Sequence, residues 1–142
     1  MHNTLAREKQ TFVPLDENNV RLYLCGPTVY DRAHLGNARN VIMFDILYRL
    51  LLKSFGENCV TYVRNFTDID DKMIEGANKQ GISVSELAES NISSYLKEMD
   101  MLGVLRANSY PRATAEIDNI VDMISGLIKN NSAYEINGDV YF

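Results

Sequence analysis

The residues best suited to chemistry crowd into one stretch, Cys25-Gly26-Pro27-Thr28-Val29-Tyr30-Asp31-Arg32-Ala33-His34-Leu35-Gly36-Asn37. His34 and Asn37 stand three positions apart. At the start of a helix they would project from one side of the first turn, and both can donate hydrogen bonds. The unpaired N–H groups and dipole at such a start favour an anion, a phosphate in particular. Gly36 would let a flat or charged part of a ligand approach the backbone. Each residue also has an ordinary structural use. A His can cap the helix, Cys25 can be a small buried hydrophobe, and a short glycine loop can simply turn the chain.

Other residues are less pointed. Thr67 follows an apolar run and can serve as a turn hydroxyl bonding local backbone. Asp68, Asp70 and Asp71 fail as a calcium loop, because the glycine position falls on Met73 and the final glutamate on Lys79. They are expected to cap and charge-balance the helix that follows. Tyr30-Asp31-Arg32 either positions a substrate or pins the loop. The eight tyrosines are scattered and form no stacking platform.

Positioning these groups requires a particular set of elements. Thr11 to Val13 reads as an opening strand and Arg21 to Cys25 as a second, more buried one. From Leu35 to Gly56 the pattern is a long helix, apolar over most of its circumference and so expected to be largely buried. Cys59 to Val63 then reads as a central strand. Strand, loop, helix, strand is a βαβ unit with parallel strands and a right-handed crossover. The Cys25–Asn37 cluster falls at the carboxyl end of its first strand, where open α/β sheets bind ligands.

Downstream, Asp71 to Asn78 is helical and stops before Gly81. A helix over Ser83–Leu102 opens on a capping box of Ser83 and Glu86 and packs through Leu87, Ile92, Leu96, Met99 and Leu102. Tyr110-Pro111-Arg112 reads as a linker and Thr114 as the cap of a last helix. The stripe Ile117, Ile120, Val121, Ile124, Leu127 and Ile128 is read as a packing face. A hairpin around Asn137-Gly138 follows. Because it stops on Val140-Tyr141-Phe142, the chain is expected to continue into a larger protein.

The 142 residues are 46% hydrophobic and 23% charged, which excludes a disordered or collagen-like chain. Fourteen basic against nineteen acidic residues, a net charge of −5, argue against wrapping nucleic acid by charge alone. An enzyme that grips one end of a nucleic acid is still permitted. Cys25 and Cys59 are too few for a disulfide framework and fit a reducing compartment. The N-terminus lacks a signal-peptide core, and the run Leu47–Leu52 is interrupted by Arg49. A cytoplasmic protein without a membrane segment is expected.

The literal string sharpens this picture. His34-Leu35-Gly36-Asn37 resembles the H-I-G-H signature of class I aminoacyl-tRNA synthetases. LYLCGPTVYDRAHLGNARN resembles the opening of the cysteinyl-tRNA synthetase family. YVRNFTDIDDK resembles that family's second-strand segment, and Pro111-Arg112-Ala113-Thr114 a further stretch. The likeness runs from about Thr4 to the end. It implies an α/β, Rossmann-like nucleotide-binding half over residues 1–110 and the start of an inserted connective segment over 111–142.

The activity implied is the ATP-dependent formation of cysteinyl-adenylate, followed by transfer to tRNA(Cys), with ATP entering as its magnesium complex. The resemblance makes His34 and Asn37 the candidate catalytic residues and His34, Gly36 and Asn37 the ATP-binding ones. It gives Gly26, Thr28 and Thr67 to substrate cysteine and Cys25 to zinc, which would tell cysteine from serine by preferring a thiolate. The signature's second His is Asn37 here. An amide retains a donor but carries no charge, so weaker phosphate stabilisation is expected.

The family's other zinc ligands and its K-M-S-K-S signature lie in later sequence. This stretch alone is therefore expected to bind zinc poorly and to catalyse little; a monomer is expected. Two alternatives stand beside this reading: a mycothiol-type ligase joining cysteine to an amino sugar, and a non-catalytic nucleotide-binding module.

Overall fold

In the computed structural model, which describes residues 1–142, the first parallel strand is Val20–Leu24 and the second is Val60–Arg64. Numbered in chain order, the elements are β1 (His2–Asn3), β2 (Glu8–Lys9), β3 (Val20–Leu24), α1 (Leu35–Phe55), β4 (Val60–Arg64), α2 (Asp71–Gln80), α3 (Val84–Met101), α4 (Ile117–Lys129), β5 (Tyr134–Ile136) and β6 (Asp139–Tyr141). β3 and β4 pair in parallel, with Val20 opposite Val60 and Leu24 opposite Arg64. α1 connects them, so the expected α/β unit is present.

The sheet is wider than its two regular strands. Asn108 N–H donates to the Tyr62 carbonyl at 2.8 Å, Arg64 N–H to Ser109 at 3.1 Å, and Phe66 N–H to Pro111 at 2.9 Å. The segment expected to be a linker, Tyr110-Pro111-Arg112, thus runs parallel to β4 and its extension, bridging at Val63–Ser109 and Phe66–Arg112. Pro111 has no N–H, but its carbonyl still accepts, which suits an edge position.

Two apolar clusters hold the sheet. Val20, Leu24, Tyr48, Leu51, Val60 and Tyr62 join β3 and β4 to α1. Val29, Val41, Phe66, Met73, Ala88, Ile92, Tyr95 and Met99 join the strand ends to α2 and α3. Phe66 is wedged edge-on against Tyr95, with ring centroids 5.6 Å apart, and stacked on Tyr110 at 5.3 Å.

Four further expectations are corrected. Thr11–Val13 forms no strand: Phe12 and Val13 are exposed, and the local hairpin is instead β1 with β2. An apolar triplet with no neighbouring strand has nothing to pair with, and β preference is mostly a preference for a packed, half-buried surface. α1 is not largely buried, because the sheet covers one face only. Val41, Asp45, Tyr48 and Leu51 face inward while Ile42, Met43, Ile46 and Leu50 are exposed.

Thr114 does not cap α4. Its N–H and hydroxyl both turn to buried Asp68, at 2.9 and 2.6 Å, and a 3₁₀ turn over Ala113–Glu116 precedes the helix. The stripe on α4 is not packed: no residue of the helix is buried, and Ile117, Ile120, Val121 and Ile128 are exposed.

The local signals held where local chemistry decides. Of the three aspartates expected at the start of α2, Asp70 caps it by accepting from Met73 N–H at 2.8 Å and Asp71 lies in its first turn, whereas Asp68 turns to Thr114 instead. Ser83 and Glu86 form the reciprocal box that opens α3. Asn137 and Gly138, with φ of 54° and 91°, make the tight turn between β5 and β6. No helix is long and apolar enough to cross a membrane.

Candidate active site

His34 is the N-cap of α1, and its side chain is committed to that task. Nδ1 accepts from Gly36 N–H at 3.1 Å and from Asn37 N–H at 3.4 Å. In return the Asn37 side-chain oxygen accepts from His34 N–H at 3.0 Å. This is a capping box built from a histidine and an asparagine. A ring nitrogen that accepts carries no proton, so neutral His34 holds its proton on Nε2. Asn37, with its oxygen engaged, presents its amide N–H₂. The cap thus sets both side chains as donors.

The same geometry corrects the picture of an open helix end. Gly36 and Asn37 N–H are already bonded to the imidazole, so an anion here meets side-chain donors before free backbone ones. Gly36 has a definite reason to be glycine. A Cβ there would lie 2.9 Å from two atoms of the His34 ring, so the imidazole occupies the space that glycine opens.

His34 and Asn37 border a cavity of about 130 Å³ together with Thr28, Tyr30, Arg32 and Tyr95. Its loop is held from three sides. Asn91 donates to the Val29 carbonyl at 2.8 Å, Arg32 pairs with Glu98 at 2.5 Å, and the Lys72 ammonium sits 5.0 Å from the Tyr30 ring centroid. Exposed pairs of this kind contribute little stability singly. Their placement pins the loop to α2 and α3, in line with the loop-pinning reading of Tyr30-Asp31-Arg32.

Gly26, Thr28 and Thr67 meet where the extensions of β3 and β4 touch. Thr67 N–H donates to Pro27 at 3.1 Å and Val29 N–H to Thr67 at 3.2 Å, giving a parallel bridge of Thr28 with Thr67. The organiser is Asn65, which the sequence reading did not single out. Its side-chain oxygen accepts from Gly26 N–H at 2.7 Å and its amide donates to Thr67 Oγ1 at 3.5 Å. An Asn just after a strand was the only available signal, and it reads as a turn residue.

Arg64 was also missed. It is 3% exposed at the carboxyl end of β4 and donates from Nη2 to Asn40 Oδ1 at 3.2 Å. Its Nε and Nη1, and the hydroxyl of Tyr95, are buried without partners. The guanidinium lies 5.8 Å from the Tyr95 ring centroid. Burial pushes the Tyr95 phenol up to about 12, with Arg64 pulling the other way, so it stays neutral at physiological pH.

Cys25 is exposed at the exit of β3 and Cys59 half-buried at the entry to β4, so both thiols are free and lie at opposite ends of the parallel pair. Exposure removes the buried-hydrophobe reading of Cys25. No group of three or more His, Cys, Asp or Glu side chains is close enough to hold a metal ion. Zinc with an open position wants about three protein ligands, so the residues present do not make that site by themselves.

The chain is similar to known proteins. The model of the family described as "tRNA synthetases class I (C) catalytic domain" matches residues 11–142. The chain is 51% identical over all 142 residues to a cysteine–tRNA ligase of Caldicellulosiruptor saccharolyticus and covers 30% of it. It is 49% identical over the same length to one of Ruegeria pomeroyi, again covering 30%. The chain thus spans about 30% of the length of these relatives. Among solved structures, the LeuRS of Agrobacterium radiobacter K84 in ternary complex with tRNA and LeuAMS aligns with a TM-score of 0.66. That alignment has 17% identity and covers 82% of this chain and 15% of that one, a likeness of fold.

Proposed function

Since the chain belongs to the class I tRNA synthetase (C) catalytic-domain family, we propose that it works as the first part of a cysteine–tRNA ligase. In this reading residues 1–110 are a Rossmann-like nucleotide-binding half and residues 111–142 begin a connective segment. The carboxylate oxygen of cysteine attacks the α-phosphorus of ATP, supplied as its magnesium complex. An O–P bond forms, the bond to the β-phosphate oxygen breaks, and pyrophosphate leaves. The 2′- or 3′-hydroxyl of the terminal ribose of tRNA(Cys) then attacks the acyl carbon. That step loses its proton to solvent and releases AMP.

Negative charge builds on phosphate oxygens in the first step. The single observation that carries the reading is the reciprocal cap of α1. It turns His34 Nε2–H and the Asn37 amide into fixed donors at the border of one cavity. Donors that need no reorganisation are worth about 3 kcal/mol each where charge develops. In this reading Gly26, Thr28 and Thr67 take the amino acid, and Gly36, whose missing side chain gives the His34 imidazole its room, lies with His34 and Asn37 at the ATP. Cys25 would be one zinc ligand among several, the others lying outside this stretch. Zinc would supply preference for a thiolate. A cytoplasmic, monomeric protein fits the reading.

The test is cysteine-dependent exchange of pyrophosphate into ATP, together with charging of tRNA(Cys), by the full-length protein. Both activities are expected. Exchange without tRNA charging, with an amino sugar acylated instead, would replace the reading by a mycothiol-type ligase. ATP binding without exchange would reduce the chain to a nucleotide-binding module.

A further inference from the structure

We infer that Arg64 is an electrostatic positioning residue, a buried cation whose uncompensated charge favours the anion held in the crevice above it. The inference rests on that crevice taking an anion, as proposed above. Arg64 ends β4, the central strand, at 3% exposure, at the carboxyl end of the sheet where the candidate site lies. Its Cγ is 3.5 Å from where a Cβ on Gly26 would stand, which puts its stem directly under the exit of β3. Its partners are neutral: the Tyr62 hydroxyl lies close enough for the guanidinium to oppose the upward push of burial on that phenol, and Nη2 donates to the oxygen of Asn40, which lies three residues beyond Asn37 on α1. One rise per residue makes that about 4.5 Å along the helix axis. Tyr95, whose ring faces the guanidinium, is also a wall of the cavity that His34 and Asn37 border.

No carboxylate neutralises this charge. The four ion pairs of the chain join Arg32 to Glu98, Arg49 to Asp45, Arg106 to Asp100 and Arg112 to Glu89. Asp100 and Asp45, the latter acting on neighbouring Tyr62, are engaged elsewhere. Asp100 borders the same small cavity as Arg64 but takes two bonds from Arg106, and Asp45 serves Arg49 and the Leu105 N–H. Nε and Nη1 of the guanidinium make no close hydrogen bond to protein, and the phenols beside it, Tyr62 and Tyr95, carry no countercharge. A buried charge left this way opposes folding. An anion arriving at the first turn of α1 supplies the missing countercharge, and the low dielectric between them preserves the attraction.

Phosphate of ATP and carboxylate of cysteine share the relevant chemistry, and separate measurements distinguish them. The variants are Arg64→Gln, which can keep the bond to Asn40 and loses the charge, and Arg64→Lys, which keeps the charge. In the full-length protein, ATP and cysteine affinities are measured by calorimetry and melting temperature by scanning. The expected result is about tenfold weaker binding of ATP, of cysteine or of both to Arg64→Gln. Arg64→Lys should stay within about twofold of wild type, and the Gln variant should melt no lower than the Lys variant. Loss in the ATP arm assigns the charge to phosphate, and loss in the cysteine arm assigns it to the carboxylate.

Binding by Arg64→Gln equal to wild type, or rescue by Gln and not by Lys, would overturn the inference. Should Arg64→Gln fail to fold, Arg64→Lys still decides: a loss there as large as for an Asn37→Ala control overturns it, and retention supports it. A wild-type protein that binds ATP yet shows no cysteine-dependent exchange would fault the proposed function and leave this comparison intact.

Discussion

Gly26 and Asn65 meet backbone to backbone. The Gly26 N–H donates to the Asn65 side chain at 2.7 Å, and the Asn65 carbonyl oxygen lies only 1.5 Å from where a Cβ on Gly26 would be. The exits of β3 and β4 are therefore pressed together, and that contact sets Thr28 beside Thr67.

Gly26→Ala is expected to destabilise the protein by about 1–3 kcal/mol, the usual cost of forcing atoms into a packed site. It should also abolish most cysteine-dependent exchange, because the obstructing atom is backbone and the strand exits must part. Denaturant unfolding and the exchange assay check this; a variant with wild-type stability would contradict the contact.

At Asn37 the cap and the donor can be separated. Asn37→Asp keeps an oxygen for His34 N–H but loses the amide donor and adds negative charge. It should melt close to wild type while exchange falls about a hundredfold. Asn37→Ala should lose exchange and also about 1 kcal/mol of stability. Equal melting losses in both variants would mean that the side-chain oxygen does not cap α1.

Asp68 ties the exit of β4 to the turn before α4 through Thr114. Asp68→Ala leaves the Thr114 N–H without its acceptor and should cost about 1–3 kcal/mol. Amide hydrogen exchange at Thr114 should quicken, and Asp68→Asn, with one acceptor oxygen left, should sit between. Unchanged exchange at Thr114 would count against the tie.

Glu86 gives a pH signature. Bonds from the backbone N–H and hydroxyl of Ser83 hold its carboxyl below the ordinary 4.5. A depressed native value means that the stabilisation is complete above about pH 4.5 and is lost as pH falls through the lower, native-state value. Carbon-detected NMR titration should put the Glu86 midpoint below 4.5, and Glu86→Gln should remove this share of the acid dependence. A midpoint at or above 4.5 would show that the capping box does not favour the carboxylate.

What could be read in advance was whatever neighbours along the chain decide. Ser83 with Glu86, Asp70 with Met73, and Asn137 with Gly138 each settle their geometry within a few residues. The βαβ order followed from the change of hydrophobic period between Arg21 and Val63. The same locality brought His34 and Asn37 to light, since three residues of helix fix their relation.

The amino-acid order alone determined the βαβ elements, the caps of α2 and α3, the closing hairpin and the family likeness. Only the folded chain decided which donors remain free at the head of α1, and that Asn65 clasps Gly26 from 39 positions away. It also drew Thr114 to Asp68 across 46 positions, laid residues 108–113 beside β4, buried Arg64, and left the α4 stripe exposed. These outcomes depend on which distant segments come to lie side by side. No periodicity within a single segment encodes that, because the energy of a buried charge or an apolar face is set by the neighbour it finds.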